Sequence, residues 1–312
     1  MTTPSPAMLT TPSLIRIYLK LTTVAFVWGG TFIAGHSLME TLPPITAATA
    51  RFIVAAVLLI AWVYKTEGGL PRLTTQQLLV TFFLGASGVF LYNVFFFEAL
   101  SSLPAGRTAL LVSLNPIITA LVLGLLFGER LGVIRWLGII LAFVGAAIII
   151  TRGNLLAAAH DLSNVFGQGE IYMMCAVISW ATYTIIGRYA LKGLSPLAAT
   201  TYATLWGLFL LMGTTLLFPP EPDFNQLSLL SIGSVIYLGA FGTVICFVWY
   251  YQGIKAIGPS RTAIFTNLVP VFGVLLAMLL LGEPILISML LGGVLVILGV
   301  TMTNHSNAYS PK

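Results

Sequence analysis

One pattern is written twice in this chain. Arg107-Thr108-Ala109, Pro116 and Gly128-Glu129 recur as Arg261-Thr262-Ala263, Pro270 and Gly282-Glu283, every member shifted by 154 residues, as from 107 to 261. The same shift places Gly85-Ala86 on Gly239-Ala240, Gly138 on Gly292 and Gly145 on Gly299. Nearer the start the shift is 152, as from Trp28 to Trp180, and it also pairs Gly35 with Gly187 and Pro44 with Pro196. The whole reads as a diverged duplication, an arrangement typical of membrane transporters.

Composition puts the duplicated unit in a bilayer. Hydrophobic residues make up 58% of the chain and charged residues 7%, with a mean hydropathy of +1.00, against about 25% charged residues in soluble domains. A helix crossing about 30 Å of hydrocarbon needs about 20 apolar residues, and ten such runs can be placed. They are Ile17 to Leu38, Pro44 to Tyr64, Thr75 to Glu98, Ala105 to Phe127, Val133 to Thr151, Gly167 to Ala190, Pro196 to Phe218, Ser228 to Gln252, Pro259 to Leu281 and Ile285 to Thr303. The expected fold class is an all-α integral membrane protein of ten transmembrane helices in two five-helix repeats. Five is odd, so the second repeat starts on the side where the first ended, and the repeats lie inverted. The expected divisions are an N-terminal tail 1–16, a first repeat 17–151, a linker 152–166, a second repeat 167–303 and a C-terminal tail 304–312.

Loop charge sets the orientation, because Lys and Arg gather on the cytoplasmic side. With both termini cytoplasmic, Arg16, Lys20, Lys65, Arg72, Arg130, Arg135, Arg188, Lys192, Lys255, Arg261 and Lys312 fall inside. Only Arg107 and Arg152 fall outside, and Arg51 lies within the second helix. The net charge of +5 needs no nucleic-acid partner, since single basic residues on short loops sit beside anionic headgroups. The first 20 residues lack the apolar core of a signal peptide and read as a cytoplasmic lead-in; the expected location is the cytoplasmic (inner) membrane. Cys175 and Cys246 lie in apolar runs and make neither a disulfide framework nor a metal site. No cofactor or metal is expected, and an enzyme would need a convergent acid, base and nucleophile that these spans do not offer.

Trp28-Gly29, Arg51-Phe52, Trp180 with Tyr183 and Arg188, and two longer stretches carry a family resemblance. The stretches are Leu103 to Glu129 (LPAGRTALLVSLNPIITALVLGLLFGE) and Ile257 to Pro284 (IGPSRTAIFTNLVPVFGVLLAMLLLGEP). The chain resembles the ten-helix EamA-type branch of the drug/metabolite transporter superfamily over about residues 17–303. The resemblance implies a secondary transporter whose two inverted bundles give alternating access to a central cavity. Members move amino acids, nucleosides, sugars and other metabolites, and the aromatic richness here is most similar to bacterial amino-acid exporters, aromatic amino acids included.

The residues add detail. Pro116 and Pro270 stand about 12 residues into their runs, near the midplane at about 1.5 Å rise per residue. A proline cannot donate to the carbonyl four residues back, here that of Val112 or Thr266. Hydrocarbon tolerates such a group only where a neighbour or a wet cavity satisfies it. Ser113, Asn115, Thr266 and Asn267 bring polar side chains to the same depth. Either these are packed kinks, or Pro116 and Pro270 are hinges beside a substrate-binding surface.

Trp28, Tyr92, Trp180, Tyr183 and Tyr202 are candidate wall residues of that surface, with Trp28 and Trp180 well inside their runs, where an indole N–H needs a partner. Trp249, Tyr250 and Tyr251 read as a headgroup-level belt. Arg51, about 10 Å below the outer end of its helix, would snorkel outward, pair with Glu98 or Glu40, or attract a substrate carboxylate. Arg107 and Arg261 open the fourth and ninth runs, and with His36 and Glu98 near the outer mouth they fit gates or anchors. None of the nine acidic residues lies near a midplane, which disfavours proton-coupled export of cationic drugs through a deep carboxylate. The glycines seven apart in the fifth and tenth runs predict close packing of those helices, with each other or with a second copy.

Together these features predict a carrier that exports or facilitates passage of small amphiphilic metabolites, most of all amino acids, with the lipid bilayer as its surroundings. The alternatives are a channel, a lipid scramblase, or a carrier for another metabolite class. A homo-oligomer stays open.

Overall fold

The computed structural model describes residues 11–115, 117–119, 121–122, 132–151, 153–154, 167–219, 227–257, 262 and 265–305. Pro116, Glu129 and Arg261 lie outside the described residues. The helices are α1 (Thr11–Met39), α2 (Pro44–Glu67), α3 (Thr75–Ser102), α4 (Ala105–Val112), α5 (Val133–Ile150), α6 (Gln168–Ala190), α7 (Pro196–Leu217), α8 (Leu229–Ile257), α9 (Leu268–Leu281) and α10 (Ile287–His305). Among the described residues there is no strand. Six helices, α1, α2, α3, α6, α7 and α8, are long and apolar enough to cross a membrane, and α5, α9 and α10 contain shorter apolar stretches. The expected all-helical multi-pass protein is therefore present. Of the ten expected spans, six are full length here, and the fourth run is described only in part.

Helix ends follow local chemistry. Pro44 and Pro196 sit in the first turns of α2 and α7, where a missing N–H leaves nothing unpaired. Thr74 and Gln77 close a reciprocal capping box on α3, and Ser195 accepts the Ala198 N–H at 2.9 Å. Leu216, Leu229 and Val133 are 80%, 89% and 76% exposed, an arrangement that suits side chains facing lipid and not water.

The principal seams run between the repeats: α1 on α8 and α9, α6 on α3, α7 on α2 and α3, α8 on α2, α9 on α4, and α5 on α10. The α5–α10 seam fulfils the glycine expectation. A Cβ on Gly145 would lie 2.6 Å from the Gly292 carbonyl oxygen, and one on Gly292 would lie 2.6 Å from that of Gly145. Only glycine permits this approach of backbones.

Two seams bend the helices that form them. α3 widens into a π-helical stretch at Gly85–Leu91, and α8 does so at Tyr237–Ile245. The approach that accompanies them is repeated too. A Cβ on Gly85 would lie 2.5 Å from the Ala203 carbonyl of α7, and one on Gly239 would lie 2.8 Å from the Arg51 carbonyl of α2. Ala203 and Arg51 are themselves related by the 152-residue shift. The duplication thus extends to how each repeat's third helix lies on the other's second.

Candidate functional site: an aromatic cavity between the repeats

Trp28 and Trp180, equivalent in the two repeats, meet edge to face with ring centroids 5.5 Å apart and planes at 88°. Tyr92 lies 5.0 Å from Trp180 and stacks on Phe96 at 5.6 Å. Phe247 lies 5.4 Å from Trp180, and Phe32 meets Phe96 at 5.4 Å. With Thr31, Arg51, Val112, Asn115, Thr266 and Val269, these rings line a cavity of ≈ 40 Å³, room for a few water molecules.

Arg51 is the charged member of the wall and is 3% exposed. Its Nε donates to Thr243 Oγ1 and its Nη1 to Asn93 Oδ1, each at 2.9 Å. Both partners work on the π-helical stretches. Asn93 Nδ2 donates to the Val89 carbonyl at 2.8 Å, the Thr243 hydroxyl to that of Leu238 at 3.0 Å, and Trp28 Nε1 to that of Gly242 at 3.0 Å. A π turn shifts carbonyls out of the regular α ladder, and buried backbone acceptors need partners; these side chains supply them. Arg51 therefore neither snorkels nor pairs with Glu98 or Glu40. α8 lies against the α2 backbone at Gly239 and closes the route outward, and the ion pair found among the described residues is Arg107–Glu170 alone.

Helix breaks border the same cavity. The helix following Ala105 is interrupted at Ser113 and Leu114, and the ninth run is interrupted at Asn267, the position that the 154-residue shift assigns to Ser113. The Ser113 and Leu114 N–H groups reach carbonyls three residues back, at 3.2 and 3.1 Å, a tighter turn than the α ladder. Val112 and Thr266, four residues before Pro116 and Pro270, both line the cavity. So does Asn115, 8% exposed, whose Oδ1 has no partner among the described residues.

The other predicted residues sit elsewhere. Asn267 is 8% exposed but outside the lining, and the Ser113 hydroxyl turns back to the Leu110 carbonyl. Tyr183 stands behind Trp180, 5.1 Å from it, and stacks on Tyr251 at 5.6 Å. Tyr202 is far from the cavity: its hydroxyl donates to the Pro71 carbonyl at 2.6 Å, pinning the α2–α3 loop to α7. Tyr250 and Tyr251 are 4% and 0% exposed, so the expected belt at this position is core packing instead. His36 Nδ1 lies 3.2 Å from the Leu100 carbonyl, joining α1 to α3. Glu98 is half-buried, and Pro270 is buried in α9.

Sequence reasoning missed Glu170. Its carboxylate lies 2.7 Å from Arg107 Nη2, with side-chain exposures of 11% for Arg107 and 3% for Glu170. A second cross-repeat contact lies at the same end, where Glu283 accepts the Ala105 and Gly106 N–H groups at 2.8 and 3.0 Å and sets a negative charge on the N-terminus of α4. The signal was available, since the predicted topology puts Arg107 and the start of the sixth span on one face. Among the described residues no three His, Cys, Asp or Glu side chains gather as a metal site would require.

Duplicated apolar helices around a polar-and-aromatic cavity at their shared seam define a membrane transporter. The chain belongs to the EamA-like transporter family, whose model matches residues 15–151 and again 167–305. It is 31% identical over 286 residues to the uncharacterized transporter YyaM of Bacillus subtilis, covering 92% of each chain. It is 28% identical over 283 residues to an uncharacterized transporter of Archaeoglobus fulgidus, covering 89% of this chain and 94% of that one. A solved crystal structure aligns over 92% of this chain and 98% of its own with a TM-score of 0.66 at 20% identity, a likeness of fold alone.

Proposed function

We propose that this transporter is a secondary carrier for small amphiphilic metabolites, amino acids with aromatic side chains foremost, working by alternating access in the cytoplasmic (inner) membrane with both termini inside. The observation that carries the reading is the meeting of Trp28 and Trp180 beside the paired helix breaks. Equivalent elements of two inverted repeats then face one central site, and rocking one repeat against the other exposes it to alternate sides. A cavity of ≈ 40 Å³ loads such a substrate only when its walls part, as a carrier requires. Flat apolar walls with a few polar groups suit an amphiphilic ligand. Arg51, Asn115 and Thr266 would orient the polar end, Tyr183 would support Trp180, and the breaks near Pro116 and Pro270 would flex.

Counterflow in proteoliposomes tests this reading. Vesicles loaded with unlabelled tryptophan, threonine and methionine should take up labelled tryptophan transiently above equilibrium and saturably. Linear, non-saturating flux would mark a channel, and no flux above protein-free vesicles would move the assignment to another metabolite class or to lipid.

A further inference from the structure

Arg51 poses an electrostatic question that the carrier reading leaves unanswered. It is 3% exposed, its two hydrogen-bond acceptors, Thr243 and Asn93, are neutral, and among the described residues no acidic side chain lines the cavity it borders. A buried guanidinium without a counter-charge is costly, and the cost falls when an anion lies beside it. Nε and Nη1 are held by side chains of α8 and α3, which fixes the plane of the fork. Neither of these bonds uses Nη2.

Resting on the carrier reading above, we infer that Arg51 is the carboxylate-binding residue of the cavity, and that the cargo class is a small organic acid with a flat apolar body, in which the carboxylate is obligatory and an amine is not. Anchored guanidinium forks bind carboxylates through short, charge-assisted hydrogen bonds. The apolar body lies between Trp28, Trp180 and Tyr92. Among the described wall residues none is acidic, so an ammonium group would meet aromatic faces and the unpartnered amide oxygen of Asn115 but no counter-charge.

Competition against labelled tryptophan counterflow tests the assignment, with 3-indolepropionate lacking the amine and tryptophanol lacking the carboxylate. Unlabelled 3-indolepropionate should compete within about threefold of tryptophan, and tryptophanol should be about 10- to 100-fold weaker, the loss expected for a hydrogen bond to a charged group. Arg51→Lys, which keeps the charge and loses the fork, should weaken both acids about 10-fold and leave tryptophanol unchanged. Tryptophanol competing as well as tryptophan, or 3-indolepropionate failing to compete, would overturn the assignment while the carrier reading stands. Absence of any amino-acid counterflow would overturn both. The three-compound series on the unaltered protein decides the matter even if Arg51→Lys does not fold.

Discussion

Neutralising Glu170 is expected to loosen one end of the cavity. Arg107 Nη2 and Glu170 Oε1 are 2.7 Å apart and nearly buried, and they tie α4 of one repeat to α6 of the other. Val112 and Asn115 line the cavity five and eight residues beyond Arg107, so the pair lies roughly 8 to 12 Å along the helix from it. Breaking a buried pair outright costs about 3 to 5 kcal/mol. Glu170→Gln keeps an acceptor for the guanidinium, so about 2 kcal/mol is the expected loss, with the remainder retained as a hydrogen bond to a charged donor. If the pair holds this end shut, about 2 kcal/mol shifts the closed-to-open ratio about 30-fold. The assay is the labelling rate of Thr31→Cys, in a background where Cys175 and Cys246 are Ser, by an impermeant thiol reagent applied from the Glu170 face. A rise approaching 30-fold is expected. Unchanged or slower labelling, with Glu170→Gln eluting as a folded monodisperse protein, would refute the idea that this contact is a gate.

Gly145→Val should drive the α5 and α10 backbones apart, costing about 1 to 3 kcal/mol by overpacking, and the readout is a lowered unfolding midpoint in detergent with little change in substrate affinity. Trp180→Ala and Asn115→Ala should reduce transport at least 10-fold while the protein is still produced, as radiolabel flux normalised to protein in the membrane would report. Trp28→Phe keeps an aromatic ring but removes the indole N–H that bonds the Gly242 carbonyl, so it should lower both flux and thermal stability, the latter by about 1 kcal/mol. Tyr202→Phe removes only the bond to Pro71 and should leave substrate affinity within about twofold, since about 1 kcal/mol of loop anchoring is at stake.

The elements legible in the sequence are those whose cause is local or repeated. Proline chemistry announced the interruptions at Ser113 and Asn267, spaced glycines announced the α5–α10 seam, and the duplication announced that Trp28 and Trp180 share surroundings. The π-helical stretches were illegible, because they accompany the fit of Gly85 against α7 and Gly239 against α2, a tertiary matter. Arg51 was left with three outcomes for the same reason: helix depth allowed snorkelling to the surface, a pair with Glu98 or Glu40, or a substrate carboxylate, and only the packing of α8 over α2 closes the first. Tyr202 shows the limit of residue type as a guide, since its hydroxyl serves a loop and its ring is remote from the cavity. Asn93, a lone amide in an apolar span, was readable in principle as a group that must find a buried partner.

Alternating access is the claim on which the account stands, and two-sided cysteine accessibility measures it most directly. Val112→Cys, on the cavity wall, in the Cys175→Ser, Cys246→Ser background is exposed to an impermeant reagent from one face at a time, in right-side-out and inverted vesicles, with and without substrate. The account predicts labelling from both faces, never through a continuously open path for the reagent, and slowed on both by tryptophan or 3-indolepropionate. Labelling confined to one face under every condition, or free passage of the reagent across the membrane, would contradict it.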